Sequence, residues 1–166
     1  MRVEVLAPED WRVWRDLRLE GLADTPIGFG ELHADAVLRS DEDWQAAMRR
    51  PGVRVMAYGG SGSLGMAGGF LGPDGAPLLF GVYVRPSARG AGVLAALVEV
   101  VAGWAAPDPL LLDVHEDNAR ARRAYAKLGF VETGERRPGA GIDGRDLLRM
   151  RAHGPLFAGR DGSRVL

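Results

Sequence analysis

The sequence predicts a mixed α/β fold: a twisted, mostly antiparallel sheet of about seven strands with one parallel pair, flanked by about four helices. Three observations carry this. Short apolar runs separated by Gly and Pro turns fill residues 53–84, the pattern of an antiparallel meander. A strand, helix, strand unit follows from Leu78 to Val114, and a right-handed crossover of that kind sets its two strands parallel. The length of 166 residues, with 46% hydrophobic and 26% charged residues, suits one domain with its own core.

Taken in order, Arg2 to Leu6 alternates polar and apolar residues as a strand, and Pro8, Glu9 and Asp10 open a helix. Its apolar positions Val13, Leu17 and Leu19 carry it to about Ala23. Asp24 to Gly30, with Pro26 and two glycines, breaks it. A second helix starts at Ser40, where Ser40 and Asp43 form a capping box, turns Trp44, Ala47 and Met48 inward and stops before Pro51. The meander strands are Val53–Tyr58, Leu64–Leu71 and Pro77–Val84. From Gly92 a helix carries Val93, Leu97, Val101 and Trp104 on one face, ending at Pro107 and Pro109. Leu110–His115 reads as an apolar, buried strand. It leads into a helix from Asn118 with Ala121, Ala124, Tyr125 and Leu128 on one side and Gly129 as its left-handed stop. Phe130–Glu135 and Asp146–Arg151 close the sheet around the 138–144 loop. Residues 1–153 are expected to form one domain, with 154–166 a peripheral tail.

Composition excludes several chemistries. Cysteine is absent, which removes disulfides, thiol nucleophiles and Cys-ligated zinc. His33, His115 and His153 are scattered with no metal-ligand spacing, so no metal is expected. The net charge of -1 gives no broad electrostatic footprint for nucleic acid or an anionic membrane. Residues 1–7 are too short for a signal-peptide core, and no apolar run approaches the roughly 18 residues of a membrane span. A cytoplasmic protein without nucleic-acid or membrane partners is the expectation.

The strongest local feature runs from Val82 through Tyr83, Val84, Arg85, Pro86, Arg89, Gly90, Ala91 and Gly92 to Val93, from a strand into an apolar helix. Glycines there let backbone N–H groups converge on an anion, and the helix start adds roughly half a positive charge. Phosphate is the natural ligand. Gly90-Ala91-Gly92-Val93-Leu94-Ala95 also fits a dinucleotide fingerprint, with Asp113 about 20 residues on. Against that reading, Pro86 and its neighbours separate Val84 from Gly90, whereas the fingerprint glycine belongs directly at the strand end, and the surrounding sheet is a meander.

These segments resemble the GCN5-related N-acetyltransferase (GNAT) family. Its glycine motif, Arg or Gln, two residues, Gly, one residue, then Gly or Ala, is matched by Arg89 to Val93, with Leu94 departing at the last position. Its second signature is an Asn before a helix that carries a Tyr and closes in Leu-Gly-Phe. Asn118, Ala121, Tyr125, Leu128, Gly129 and Phe130 match it. Element order agrees over roughly residues 1 to 152.

The resemblance implies the GNAT fold, with the parallel strands splayed around acetyl-CoA, and transfer of acetyl to a primary amine by direct attack. It implies that amides from Arg89 to Leu94 hold the pyrophosphate, with Arg85 and Arg89 adding charge. The β-strand residues Val82, Tyr83 and Val84, with Asn118 and Ala121, would hold the pantetheine arm. Tyr125 is the implied acid for the leaving thiolate. No glutamate precedes the glycine loop to serve as base; His115, Glu116, Asp113 and Glu31 are candidates, as is a chain of water. Pro26, Phe29 and Gly30 are expected at the acceptor pocket, between the 24–35 and 137–145 loops. Leu156 and Phe157 suggest a homodimer. Leu94 and the missing glutamate keep open an alternative: a CoA-binding sensor of the same fold.

Overall fold

The computed structural model of the protein describes residues 1–153. Seven strands form one sheet in the order β1-β2-β3-β4-β5-β7-β6: β1 Arg2–Val5, β2 Val53–Gly59, β3 Gly62–Leu71, β4 Pro77–Val84, β5 Leu111–His115, β6 Phe130–Arg137 and β7 Leu147–Ala152. Every neighbouring pair is antiparallel except β4 and β5. The helices are α1 Trp11–Asp24, α2 His33–Ala36, α3 Asp41–Arg49, α4 Val93–Ala105 and α5 Ala119–Lys127. The single turn α2 is one helix more than the sequence suggests. The tail from residue 154, and with it Leu156 and Phe157, lies outside the described residues.

The middle strands are apolar on both faces because both faces are covered. Along β2 and β3, Val55, Ala57 and Ala67 point to one core with Leu97, Val98 and Val101 of α4, whereas Met56 and Met66 point to a second core with Trp14, Leu17 and Trp44 of α1 and α3. The inward face of α1 is formed by Trp11, Trp14, Leu17 and Leu22; Val13, expected inward, is 37% exposed. It lies two residues from Trp11 and one from Trp14, rotated off the stripe those indoles define. The Ser40 capping box forms both of its bonds: Asp43 N–H donates to Ser40 Oγ at 3.1 Å, and Ser40 N–H donates to Asp43 Oδ2 at 3.0 Å. At the other end of α3, the buried guanidinium of Arg54 donates to the carbonyls of Ala47 and Arg50, closing the helix with a cation at its negative end.

One irregularity positions the site. Met66 pairs with Tyr83 and Gly68 with Phe80, so Gly81 and Val82 together face Ala67 alone, a bulge led by Gly81 at φ +60°. The extra residue reverses the alternation: Leu79 lies in the α4 core, but Tyr83 lies in the α1 core and Val82 and Val84 turn toward α4. At the same place β4 leaves β5. The two pair only through Leu78 with Leu111 and Leu79 with Leu112, and beyond that the sheet parts.

Candidate active site

A cavity of about 560 Å³ occupies the gap between the parted strands. Val82, Tyr83 and Val84 of β4 line one side, and Asp113, Val114 and His115 of β5 the other. The N–H of Arg85 donates to Leu64 O of β3, so strand alternation turns the amide of Val84, two-residue periodicity also that of Val82, toward the side β5 has vacated. The open side of β4 is thus an internal sheet edge with hydrogen-bonding groups facing the cavity.

One end of the cavity is the glycine loop. Gly90 and Gly92 have φ +79° and +80°, which L side chains avoid, and an added Cβ at either would meet nothing within 4 Å. Glycine is therefore needed for the backbone turn, and the space in front stays open. Gly92 is the N-cap of α4 and supplies no side-chain cap; Ala96 N–H is the donor to Gly92 O, which leaves the amides of Val93, Leu94 and Ala95 as the unpaired first turn. Converging amides and a helix start fit a pyrophosphate. Leu94 packs on the main core and its side chain lines the cavity, so its departure from the motif leaves the amide in place.

The two loop arginines differ from expectation. Arg85 does not line the cavity: its guanidinium makes a two-pronged bond to Glu20 of α1, with Nη2 to Oε2 at 2.6 Å, and Nη1 donates to Ser63 O. Arg89 does line it, but Nε donates to Val84 O at 3.0 Å and Nη2 to Asp24 at 2.7 Å, so it fastens the loop to β4 and α1. Ala91 points off the wall. Tyr83 touches the cavity while its hydroxyl donates to Glu20 at 3.4 Å; burial first, then the carboxylates of Asp24 and Glu20, push that hydroxyl up to about 12.

Along the other side, Asn118 caps α5: its Oδ1 accepts the Ala121 N–H at 3.2 Å, leaving its amide nitrogen to donate into the cavity. Ala121 and Tyr125 follow on the same face. Tyr125 is 9% exposed, its ring edge-on to Phe130 with centroids 5.8 Å apart, and burial raises its pKa above the ordinary 10.0. At neutral pH it carries its proton.

The candidate bases are all engaged. His115 is buried, with Nδ1 accepting the Asp117 N–H at 3.1 Å; the neutral ring therefore carries its proton on Nε2, which donates to Asp143 at 2.8 Å. No lone pair remains for an amine. Glu116 lies off the cavity, bound by Arg136 at 2.8 Å and by the Asp146 N–H. Burial alone would raise the carboxyl of Asp113, but hydrogen bonds from Arg149 and Arg137 outweigh it and hold the group below its usual 3.8. Glu31 accepts from Arg18 and pairs with Arg39, away from the wall. Of the acceptor residues, Phe29 and Gly30 line the cavity and Pro26 does not. Phe29 is also core: it stacks under the Arg18 guanidinium and against Gly21 of α1. Ile142 of the facing loop, Leu147 at the start of β7 and Arg120, Arg123 and Lys127 of α5 also line the cavity without a motif that marks them; in α5 the spacing of three and four residues was the available signal.

The model of the acetyltransferase (GNAT) family matches residues 12–130. The chain belongs to this family. Among solved structures, this GNAT protein is similar to an acetyltransferase of the GNAT family from Streptococcus pneumoniae (TM-score 0.68, 20% identity, covering 90% of this chain and 96% of that one). It is similar also to ribosomal-protein-alanine N-acetyltransferase from Brucella melitensis (0.68, 22%, 91% and 98%). A third is yncA from Salmonella typhimurium, solved with its cofactor acetyl-CoA (0.68, 19%, 91% and 92%). No curated protein sequence matches. Among the described residues of this GNAT protein no cluster of three metal-ligating side chains occurs, and no helix is long and apolar enough to cross a membrane.

Proposed function

We propose that this GNAT protein transfers the acetyl group of acetyl-CoA to a primary amine by direct attack. The observation that carries the proposal is the parting of β4 from β5 beyond Leu79 and Leu112, with unpaired α4 amides at one end of the resulting cavity and Tyr125 on its side. Acetyl-CoA supplies the acetyl thioester. The amides of Gly92 to Leu94 hold its pyrophosphate, the open edge at Val82 and Val84 with the Asn118 amide holds its pantetheine arm, and Ala121 leaves room beside them. Tyr125 donates a hydrogen bond to the departing sulfur. A phenol held above 10 does not readily surrender its proton outright to a thiolate near 8.5, so Tyr125 stabilises charge as it builds, and solvent completes the protonation. Asp113 and His115 are held by other partners, which leaves removal of the amine proton to water leading out of the cavity.

The acceptor enters between the segment around Phe29 and the loop carrying Gly141 and Ile142. Incubation with acetyl-CoA and a panel of small amines, amino acids, antibiotics, peptides with free N-termini and lysine-bearing proteins, with free thiol and acetylated product both measured, tests the reading. Thiol release that depends on one class of acceptor is expected. Binding of acetyl-CoA without acceptor-dependent release across the panel would instead identify a CoA-binding sensor.

A further inference from the structure

The loop of residues 138–146, between β6 and β7, is fastened to the end of β5 at two levels. At its base, Glu116 N–H donates to Asp146 O and Asp146 N–H to Glu116 Oε1, both at 3.1 Å. At its tip the fastening is His115. Nδ1 of this buried ring accepts the Asp117 N–H, which leaves the Nε2 proton to be donated to Asp143 Oδ1 at 2.8 Å. The same carboxylate oxygen accepts the Arg145 N–H at 3.1 Å, so one atom joins the strand end to the turn of the loop. That turn is tight: Gly141 N–H donates to Arg145 O at 2.7 Å, and Gly144 N–H to Gly141 O at 2.9 Å. A Cβ on Gly141 would lie 2.7 Å from Arg145 O and 3.1 Å from Cδ2 of His115, so the backbone of the tip rests on the edge of the imidazole. The tip's other tie, Arg145 to Asp117 at 3.3 Å, joins two side chains that are both more than half exposed, and such pairs contribute little in water.

The tip is also the part of the loop that reaches the cavity, through Ala140, Gly141 and Ile142. We infer that His115 is a positioning residue for the acceptor: through Asp143 it holds the tip of the 138–146 loop in place as a wall of the pocket that receives the amine. This rests on the acetyl-transfer reading above. A buried ring with both nitrogens engaged is suited to holding a wall, because a satisfied polar group in the interior fixes one geometry where an apolar residue of the same size would leave the loop free to slide. The base of the loop stays fastened when the tip is freed, and CoA is held by other elements: the glycine loop, Asn118 and the open edge of β4. Loss of the latch therefore acts on the acceptor and not on CoA.

Asp143 is half exposed, so Asp143→Ala removes the accepting oxygen from the surface, whereas Asp143→Asn keeps an Oδ1 able to accept both bonds. His115→Gln keeps a side-chain N–H donor but has no basic nitrogen. Thiol release is measured with the acceptor panel above, benzylamine, putrescine, leucine amide and a lysine-bearing peptide among its members, together with calorimetric CoA binding and amide hydrogen exchange. In Asp143→Ala the acceptor KM should rise about fivefold or more, with kcat within about threefold of the parent and CoA affinity unchanged. The Gly141 amide, which donates to Arg145 O and not to Asp143, should exchange about fivefold faster or more. Asp143→Asn should return both quantities to within about twofold of the parent, and His115→Gln, checked for folding by a thermal melt, should keep kcat within about threefold. An Asp143→Ala protein with the parent's KM would overturn the inference, whether or not Gly141 exchanges faster. So would a kcat lower by about 10²-fold in a folded His115→Gln beside an unaffected Asp143→Ala, since His115 would then be the base. A parent that binds CoA and releases no thiol across the panel would refute the transfer reading, and the acceptor role with it; turnover by the parent separates that failure from failure of the latch alone.

Discussion

At Tyr125 two demands meet in one side chain: the ring is packed against Phe130 and the hydroxyl reaches the cavity. Tyr125→Phe keeps the first and deletes the second. We expect kcat to fall about 10²-fold, the loss of one hydrogen bond to charge building on the sulfur, with CoA affinity and melting temperature nearly unchanged. A variant within about threefold of the parent, measured where chemistry limits the rate, would return Tyr125 to packing alone. Asp113 makes a different prediction. Its folded-state pKa is depressed by Arg149 and Arg137, so it contributes stability that is complete above the unfolded value near 3.8 and is lost as pH falls through the folded value below it. Asp113→Asn should therefore be less stable than the parent to urea at pH 7, and the gap should narrow below about pH 4. A gap independent of pH would show that the arginines contribute through packing instead. Neither partner was visible from sequence, since Arg149 lies 36 positions from Asp113 and nothing local announces the pairing.

Among the elements, those governed by local chemistry were the legible ones. The Ser40 cap, the Gly129 stop at φ +97° and the glycine loop into α4 follow from residue types at fixed offsets. A four-residue turn such as α2 carries no period, and in α1 the two tryptophans rather than Val13 decide which face turns inward. Loop and helix substitutions probe these devices. Gly92→Glu places a Cβ on a backbone of φ +80° and a carboxylate beside the phosphate site, and should weaken CoA binding at least 10²-fold; Gly92→Ala, which adds the strain alone, should cost about tenfold or less. Calorimetry that finds the two variants alike would remove the electrostatic part. In α1, Gly21→Ala ought to gain about 1 kcal/mol of helix propensity, yet its Cβ would lie 2.8 Å from Phe29 and 2.9 Å from Tyr83. We expect a net loss of roughly 1–3 kcal/mol by chemical denaturation, because two core rings must shift. A more stable variant would mean those rings move freely.

For the molecule as a whole, the order of elements along the chain and the crossover were readable because apolar runs and turns alternate cleanly, and residues of both motifs line the cavity. The bulge at Gly81 was not, because a single extra residue leaves no mark on composition, and neither were the ion pairs of Glu20 with Arg85 and Asp24 with Arg89, each joining residues 65 apart. Those pairs are what tie α1 to the end of β4 and to the glycine loop. The parting of the sheet has one more result. Strands β1 to β4 and strands β5 to β7 are joined, as backbone, by only two residue pairs, Leu78 with Leu111 and Leu79 with Leu112. The core under α4 spans both parts of the sheet, and whatever fills the gap adds a second brace between them. Saturation at a hundred times the dissociation constant adds about 2.7 kcal/mol to any fold that binds only when native. Here that gain should be concentrated along one seam. Hydrogen exchange at the amides of Val82, Val84 and Asp113 should slow with acetyl-CoA far more than exchange at the outer strands β1 and β6. A ligand in the gap thus takes the place of the rungs that β4 and β5 do not form.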